Sequence, residues 1–403
     1  MDKEKVYKYL SYGSLVAVII LMVAATVVER LYGTEVALAR IYHHPVFFLL
    51  WAVAAVAGLL YLLRRGAGRR PFTLGIHIAL VIILAGALVT HLSGVSGSIH
   101  LRVDEPSASF VDDYDSEQPL PFSLELKAFR IEYDPGTTHI ADYVSELVCE
   151  DQPVTISMNH IFKKGGYRFY QADYDEDGQG SILAVSRDPW GVGITYAGYL
   201  LLLVCMVGFF FEPNSAWRET LRSLRHRKEP GRKRKGWTLV LVALGAAMLI
   251  VWLVSVFPKG PLMPVLRSSL LFIHVIPIII SYALFGLAAL LGIAGLLVRP
   301  DRSQRLQGVS RTILLPAVFL LTFGTFLGGV WANISWGNYW AWDPKETWAL
   351  ITMLVYSFAL HGGALRAFRK PRFFHIFCIL AFLAVLVTYF GVNLLLGGMH
   401  SYA

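Results

Sequence analysis

Nine runs of roughly twenty apolar residues dominate this sequence. Each is long enough to cross a bilayer, since a spanning helix needs about 20 such residues. They lie near 11–28, 46–63, 72–92, 191–211, 237–257, 268–298, 312–332, 347–365 and 374–396. Lipid gives backbone polar groups no outside partner, so such a chain reads as an α-helical polytopic membrane protein of about nine transmembrane helices. Composition agrees. Charged residues are 16% and apolar residues 55% of the 403, against roughly a quarter charged in soluble domains. An ordinary soluble enzyme and a disordered chain are both excluded. The first run is too long for a removed signal peptide and is not followed by a small-residue cleavage site, so it is read as an anchor.

Charge sets the orientation. Segments 1–10, 64–71, 212–236, 299–311 and 366–373 hold 24 of the 36 Lys and Arg, and all five fall on one side of a nine-span arrangement. By the positive-inside rule that side is the cytoplasm. The chain is therefore expected in the inner (cytoplasmic) membrane, with its N-terminus cytoplasmic and its C-terminus extracytoplasmic. The net charge of +8 is explained by these loops and does not call for nucleic acid.

One long water-facing stretch remains, about 93–190, with 18 of the 28 acidic residues. Phe122–Phe129 and Gly166–Tyr170 alternate apolar and polar side chains, and clusters at Asp134–Gly136 and Asp175–Gly178 supply turns. We expect a small extracytoplasmic β domain. The chain then divides into residues 1–212 with four spans and this domain, a basic cytoplasmic linker at 213–236 resting on anionic lipid, and residues 237–403 with five spans. Cys149, Cys205 and Cys378 are far apart with no CxxC or CxxCH, so neither a disulfide framework nor a thiol-ligated metal is encoded.

The connection between spans seven and eight, about 332–347, is the most informative segment. Five of the ten tryptophans fall within 331–348: Trp331, Trp336, Trp340, Trp342 and Trp348. An interfacial aromatic belt needs only one or two per helix end. A cluster inside a loop turned by Gly337 and Asn338 suits a flat apolar platform for a planar ligand. Asp343-Pro344-Lys345-Glu346 is equally a good helix start, in which Asp343 caps and Glu346 completes a capping box. Lys345 could instead meet a carboxylate of the ligand.

Four of the twelve histidines stand out by depth. His77 lies 15 residues below Leu92 and His361 lies 13 below Trp348, about 22 Å and about 20 Å on a helical rise. They share a level toward the inner leaflet, where ionisable side chains suggest function. His274 and His400 share a level near the tryptophan loop. Facing imidazoles are axial ligands for haem iron, while a lone histidine at either level can equally be a packing or interface residue. His43, His44, His91, His100, His139, His160, His226 and His375 are assigned to solvent or interface.

These residues carry a resemblance. WGNYWAWDPKETWALIT at 336–352 closely resembles the tryptophan-rich WWD signature of haem-handling proteins of cytochrome c biogenesis. His274 and His400 are similar to the two outer histidines flanking that signature, and His361 to its intramembrane histidine. LGIHIALVIILAGALVTHLSGVSG, with His77, resembles the corresponding span of the ResB-type partner. The whole chain thus resembles a fused ResB–ResC (CcsB–CcsA) cytochrome c synthase of system II. Two departures are a short β domain and an ending three residues beyond His400, with no final return helix.

The resemblance implies a haem lyase that handles haem b. Haem would be taken up on His77 and His361 and moved to Trp336, Trp340, Trp342 and Asp343, with His274 and His400 as axial ligands there. It would then be attached to the CxxCH motif of an exported apocytochrome c, whose thiols other proteins keep reduced. The alternatives are a haem exporter or chaperone that forms no bond, and a b-type membrane cytochrome that moves electrons.

Overall fold

A computed structural model of the chain describes residues 2–66, 68, 70–226, 245 and 264–396. The expected span 237–257 apart from residue 245, linker residues 227–236, and His400 lie outside the described residues. The protein is a multi-pass helical membrane protein with a separate antiparallel β domain. Three long helices precede that domain, α1 (Lys3–Tyr32), α2 (Pro45–Arg64) and α3 (Pro71–Ser93), with a short helical segment, 34–42, between the first two. After it come α4 (Gly191–Phe211), α5 (Ala216–His226), α6 (Ser269–Leu297), α7 (Pro300–Ser335), α8 (Pro344–Leu360) and α9 (Pro371–Leu386). The last runs on as a π-helix, Val387–Leu396. Proline at the first turn starts α2, α3, α7, α8 and α9, where its missing N–H is no loss.

Seven of the expected spans form helices long and apolar enough to cross a membrane among the described residues. The eighth differs. Expected over 347–365, it is α8, whose 17 residues reach only about 25 Å at 1.5 Å per residue. It stops because His361 is its C-cap and Gly362-Gly363 follows. The segment 299–311, expected as a loop, is instead the first turns of α7. The linker also holds structure: α5 lies against α7, with Trp217 Nε1 donating to the Thr312 carbonyl at 3.4 Å. Its strongly one-sided apolar pattern, Trp217, Leu221 and Leu224, was the available signal.

Small residues bring α3 and α4 together. A Cβ on Gly198 would lie 2.7 Å from Ile83 Cγ1, and one on Gly86 would strike Thr195. Backbones approach this closely where lipid supplies no hydrophobic drive between helices. A second core, among α6–α9, stacks Phe285 on Tyr356 at 4.0 Å.

The β domain has eight strands: β1 (Val95–Arg102), β2 (Pro106–Asp112), β3 (Glu117–Tyr133), β4 (Ile140–Cys149), β5 (Gln152–Ser157), β6 (Phe162–Lys164), β7 (Tyr167–Tyr174) and β8 (Gly180–Arg187). Their order is β5-β4-β3-β2-β1-β8-β7-β6. The sheet curls until Ser145 of β4 donates to Gln171 of β7 at 2.6 Å, enclosing Leu124, Leu126, Phe169 and Leu183. The two expected turns are present, with Gly136 at φ +75 and Gly178 at φ +69.

Asp175, at the β7–β8 turn, is held below the usual carboxylate range by hydrogen bonds from His100 and then Arg102, at 2.9 and 2.6 Å. A carboxylate with a depressed folded pKa stabilises the fold above its unfolded value, and loses that contribution as pH falls through the folded one. The turn should therefore loosen as pH drops below about 4. Cleavage by an acid-active protease at about pH 5 and about pH 3 measures this, and Asp175→Asn should abolish the difference.

Candidate functional site

A cleft of about 2040 Å³ runs between α1–α4 and α7–α8, from the tryptophan loop at the end bearing the sheet to an arginine-rich opposite end. Ordinary ligand sites occupy roughly 300–1,000 Å³, so the cleft has room for a large ligand at more than one position. His77 and His361 line it, and so do Trp336, Trp340 and Trp342.

His77 is the seventh residue of α3, and His361 closes α8. Their ring centroids are 6.0 Å apart at 86°. Each Nδ1–H donates to the carbonyl four residues back, Thr73 at 2.8 Å and Ser357 at 2.7 Å. A carbonyl can only accept, so in the neutral ring Nε2 carries the free lone pair. This is how proteins orient a ligating imidazole. An imidazole nitrogen binds a first-row metal at about 2 Å, which puts two rings on opposite sides of one ion with centroids about 6 Å apart. The pair's centroid separation matches that arrangement. Tyr12 of α1 meets His361 edge-on at 6.0 Å. Sequence reasoning missed this residue; a tyrosine inside an apolar span was the only signal.

The loop 336–343 is shorter than expected because α7 continues to Ser335. Trp342 stacks on Tyr42 at 4.5 Å and 13°, and its φ of +59 places a bulky residue in the left-handed region. Such a conformation persists only where the surroundings enforce it. Trp340 packs edge-on to Trp342 at 5.7 Å. Its Nε1 is buried without a hydrogen-bond partner among the described residues, which leaves a donor for a ligand acceptor. An apolar aromatic wall, an orphaned donor and a facing imidazole pair together suit a flat, metal-bearing macrocycle.

The remaining expected residues that are described stand apart from the cleft lining. His274 is buried, anchored by Nδ1–H to the Leu270 carbonyl at 2.9 Å, and stacked on Trp331 at 5.4 Å. Trp331 meets Trp336 at 4.8 Å, so two indoles bridge His274 to the cleft. Asp343 caps α8 through the Lys345 N–H at 2.9 Å, and Glu346 reaches back to the Ala341 N–H at 2.9 Å. Lys345 donates to Asn393 at 2.9 Å. Three histidines assigned to solvent or interface have other surroundings. His375 is fully buried, with Nε2–H donating to the Ser303 carbonyl at 3.0 Å. His43 and His91 face one another at 5.0 Å on the cleft wall.

The β domain docks directly on the tryptophan loop. Tyr170 donates to the Asn333 carbonyl at 3.1 Å, Arg168 to Asn333 Oδ1 at 3.1 Å, and Ser186 to the Gly337 carbonyl at 3.3 Å. Gly337 has φ +83, and a Cβ there would sit 2.5 Å from the Tyr170 ring. Gly337→Ala should therefore cost about 1–3 kcal/mol of overpacking besides the backbone strain. A lowered melting temperature in detergent and faster proteolysis between domain and loop should follow; unchanged values would mean the domain is not seated there.

The profile of the Cytochrome C assembly protein family matches residues 194–400, just over half the chain, and that of the ResB-like family matches residues 54–186. Protein NrfI of Wolinella succinogenes is 43% identical over 152 residues, which cover 35% of this chain and 17% of that protein. Cytochrome c biogenesis protein CcsA of Chlamydomonas reinhardtii is 40% identical over 155 residues, 36% of this chain and 43% of the relative. The CcsA of Synechococcus sp. (strain CC9605) is 35% identical over 180 residues, 36% of this chain and 58% of the relative. The chain thus spans less than two thirds of the length of these curated relatives.

Proposed function

Since the chain belongs to the cytochrome c assembly family and carries a ResB-like match in the same polypeptide, we propose that it takes up haem b and attaches it covalently to exported apocytochrome c. The observation that carries this reading is the His77–His361 pair facing across a cleft that continues to Trp336, Trp340 and Trp342. In this reading residues 1–212 are a ResB-like half, 213–236 a basic linker and 237–403 a CcsA-like half. The arginine-rich end of the cleft faces the cytoplasm and the β domain lies outside the inner membrane, following the loop charges.

Haem is the substrate. His77 and His361 clasp its iron on entry. The indoles of the loop then hold the macrocycle by its faces, and His274 and His400 take the iron. Asp343 acts by fixing the start of α8 and so the pose of Trp342 and the loop. Each CxxCH thiol adds across a haem vinyl group: sulfur bonds to one vinyl carbon, the thiol hydrogen ends on the other, and no net electron is gained or lost. The acceptor histidine displaces one protein ligand from iron. Catalysis is chiefly positioning, which can lower a barrier by about 7–11 kcal/mol. The three described cysteines are free and buried, so reduction of the acceptor thiols is assigned to partner proteins.

Pulse-labelled haem followed into a coexpressed CxxCH acceptor tests the proposal. Label should leave this protein and survive acid-acetone extraction of the acceptor. Label that transfers but is extracted would identify an exporter or chaperone, and label that never leaves would identify a b-type cytochrome.

A further inference from the structure

Four arginines line the end of the cleft opposite the sheet: Arg65, Arg70, Arg311 and Arg369. Two already face carboxylates, Arg65 with Glu4 at 3.6 Å and Arg70 with Glu219 at 3.1 Å. Arg311 and Arg369 have none among the described residues. Both are tied to the turn that follows His361. Arg369 donates from Nε and Nη2 to the carbonyls of Gly362 and Gly363 at 3.1 and 2.9 Å. Arg311 donates from Nη2 to the Phe368 carbonyl at 2.5 Å, and a Cβ on Gly362 would lie 2.8 Å from that Nη2.

The rest of Arg311 is under-used. Its Nε is buried without a hydrogen-bond partner, and its guanidinium lies over the Phe374 ring at 5.2 Å. A guanidinium offers five donors, and Arg311 is half-buried while Arg369 is exposed, so both have donors left for an anion. A ring stack and a single carbonyl orient the group without neutralising it.

We propose that Arg311 and Arg369 form a dicarboxylate clamp at this end of the cleft, which receives the two propionates of a porphyrin whose iron is held by His77 and His361. The proposal rests on the reading of that pair as iron ligands. Three features fit together. Two carboxylate-free guanidiniums bracket the residues directly after an imidazole that faces the cleft. The macrocycle carries both carboxylates on one edge, and a planar fork binds a carboxylate bidentately. A doubly anionic ligand entering a membrane also needs fixed cations at its charged edge, because desolvating an unpaired carboxylate is expensive. The clamp sets which edge of the porphyrin leads, turning the propionates toward the arginines and the opposite edge toward the tryptophan loop.

Hemin and its dimethyl ester separate this from simple iron binding, since the ester keeps iron and ring but lacks both charges. Protein from haem-starved cells, carrying His274→Ala so that porphyrin in the loop site is five-coordinate and the six-coordinate Soret band reports the inner pair alone, is titrated with each and followed by that band. Hemin should bind at least tenfold more tightly than the ester. Arg311→Gln and Arg369→Gln should each shrink that preference and together erase it, with the six-coordinate spectrum kept at saturation. Arg311→Lys should restore part of it. Equal affinities for hemin and ester in the arginine-intact protein would overturn the clamp without need of any arginine variant. So would arginine variants that weaken both porphyrins alike. The ligand reading fails by a different signal, namely an unchanged six-coordinate spectrum after His77→Ala and His361→Ala.

Discussion

His77→Ala and His361→Ala should each strip haem from the purified protein, from the loop site as well as the inner one. The rings meet at 6.0 Å with each Nδ1 anchored to its own helix, so neither can swing to replace the other. Losing a partner that merely orients a ligating histidine typically costs about 10–100-fold in metal affinity. Losing the ligand itself should cost at least as much, and a hundredfold is about 2.8 kcal/mol at 1.4 kcal/mol per decade. Copurified haem measured by pyridine haemochrome should fall by at least tenfold in either variant, and transfer to a CxxCH acceptor should fall with it. Loss from the loop site follows because uptake precedes delivery along one cleft. If both variants copurified with the wild-type haem content, the order of stations would be wrong.

The legible part of this structure was what periodicity and charge control. Hydropathy gave the described helices apart from α5, which lies in the expected linker, and alternation with turn residues gave strands β3 and β7 in the expected places. Depth along a helix can be read by counting, and His77 and His361 do share a level. Counting says nothing of which face a side chain takes; that depends on how α3 and α8 pack, and their meeting needed coordinates. The same limit hid Tyr12, which reaches His361 from α1.

Contacts between distant segments were the other illegible class. Tyr170 reads only as one member of an alternating strand, yet its hydroxyl donates to the Asn333 carbonyl beside the loop. His375 reads as a residue at a helix start, yet it is buried against Gly295 and the Ser303 carbonyl. Arg311 reads as one more positive loop residue, but α7 begins eleven residues before it and carries it into the cleft wall. Asp343 went the other way. Its local pattern suggested a helix cap, and a cap is what its side chain forms.

His274→Ala should leave haem in the loop site five-coordinate, and imidazole should partly restore the sixth ligand. The geometry makes the vacated space specific. The His274 ring is stacked on Trp331 at 5.4 Å, and a Cβ on Gly328 would touch its edge at 3.2 Å. Removing the ring leaves a slot of imidazole shape between an indole and a glycine, and a core that relaxes only partly keeps such a slot open. A free imidazole filling it lacks the tether to Leu270, so binding on the order of millimolar is expected, corresponding to about 4 kcal/mol. At tens of such equivalents the six-coordinate spectrum should return, and labelling of the acceptor should recover in part. A packing role predicts something else: loss of stability, no change in the coordination spectrum, and no response to imidazole. Trp331→Phe separates the two further. It keeps an aromatic face for the ring to rest on, so coordination should survive while the indole bridge to Trp336 is shortened. Five-coordinate haem in Trp331→Phe would place the ligand role on a contact other than His274.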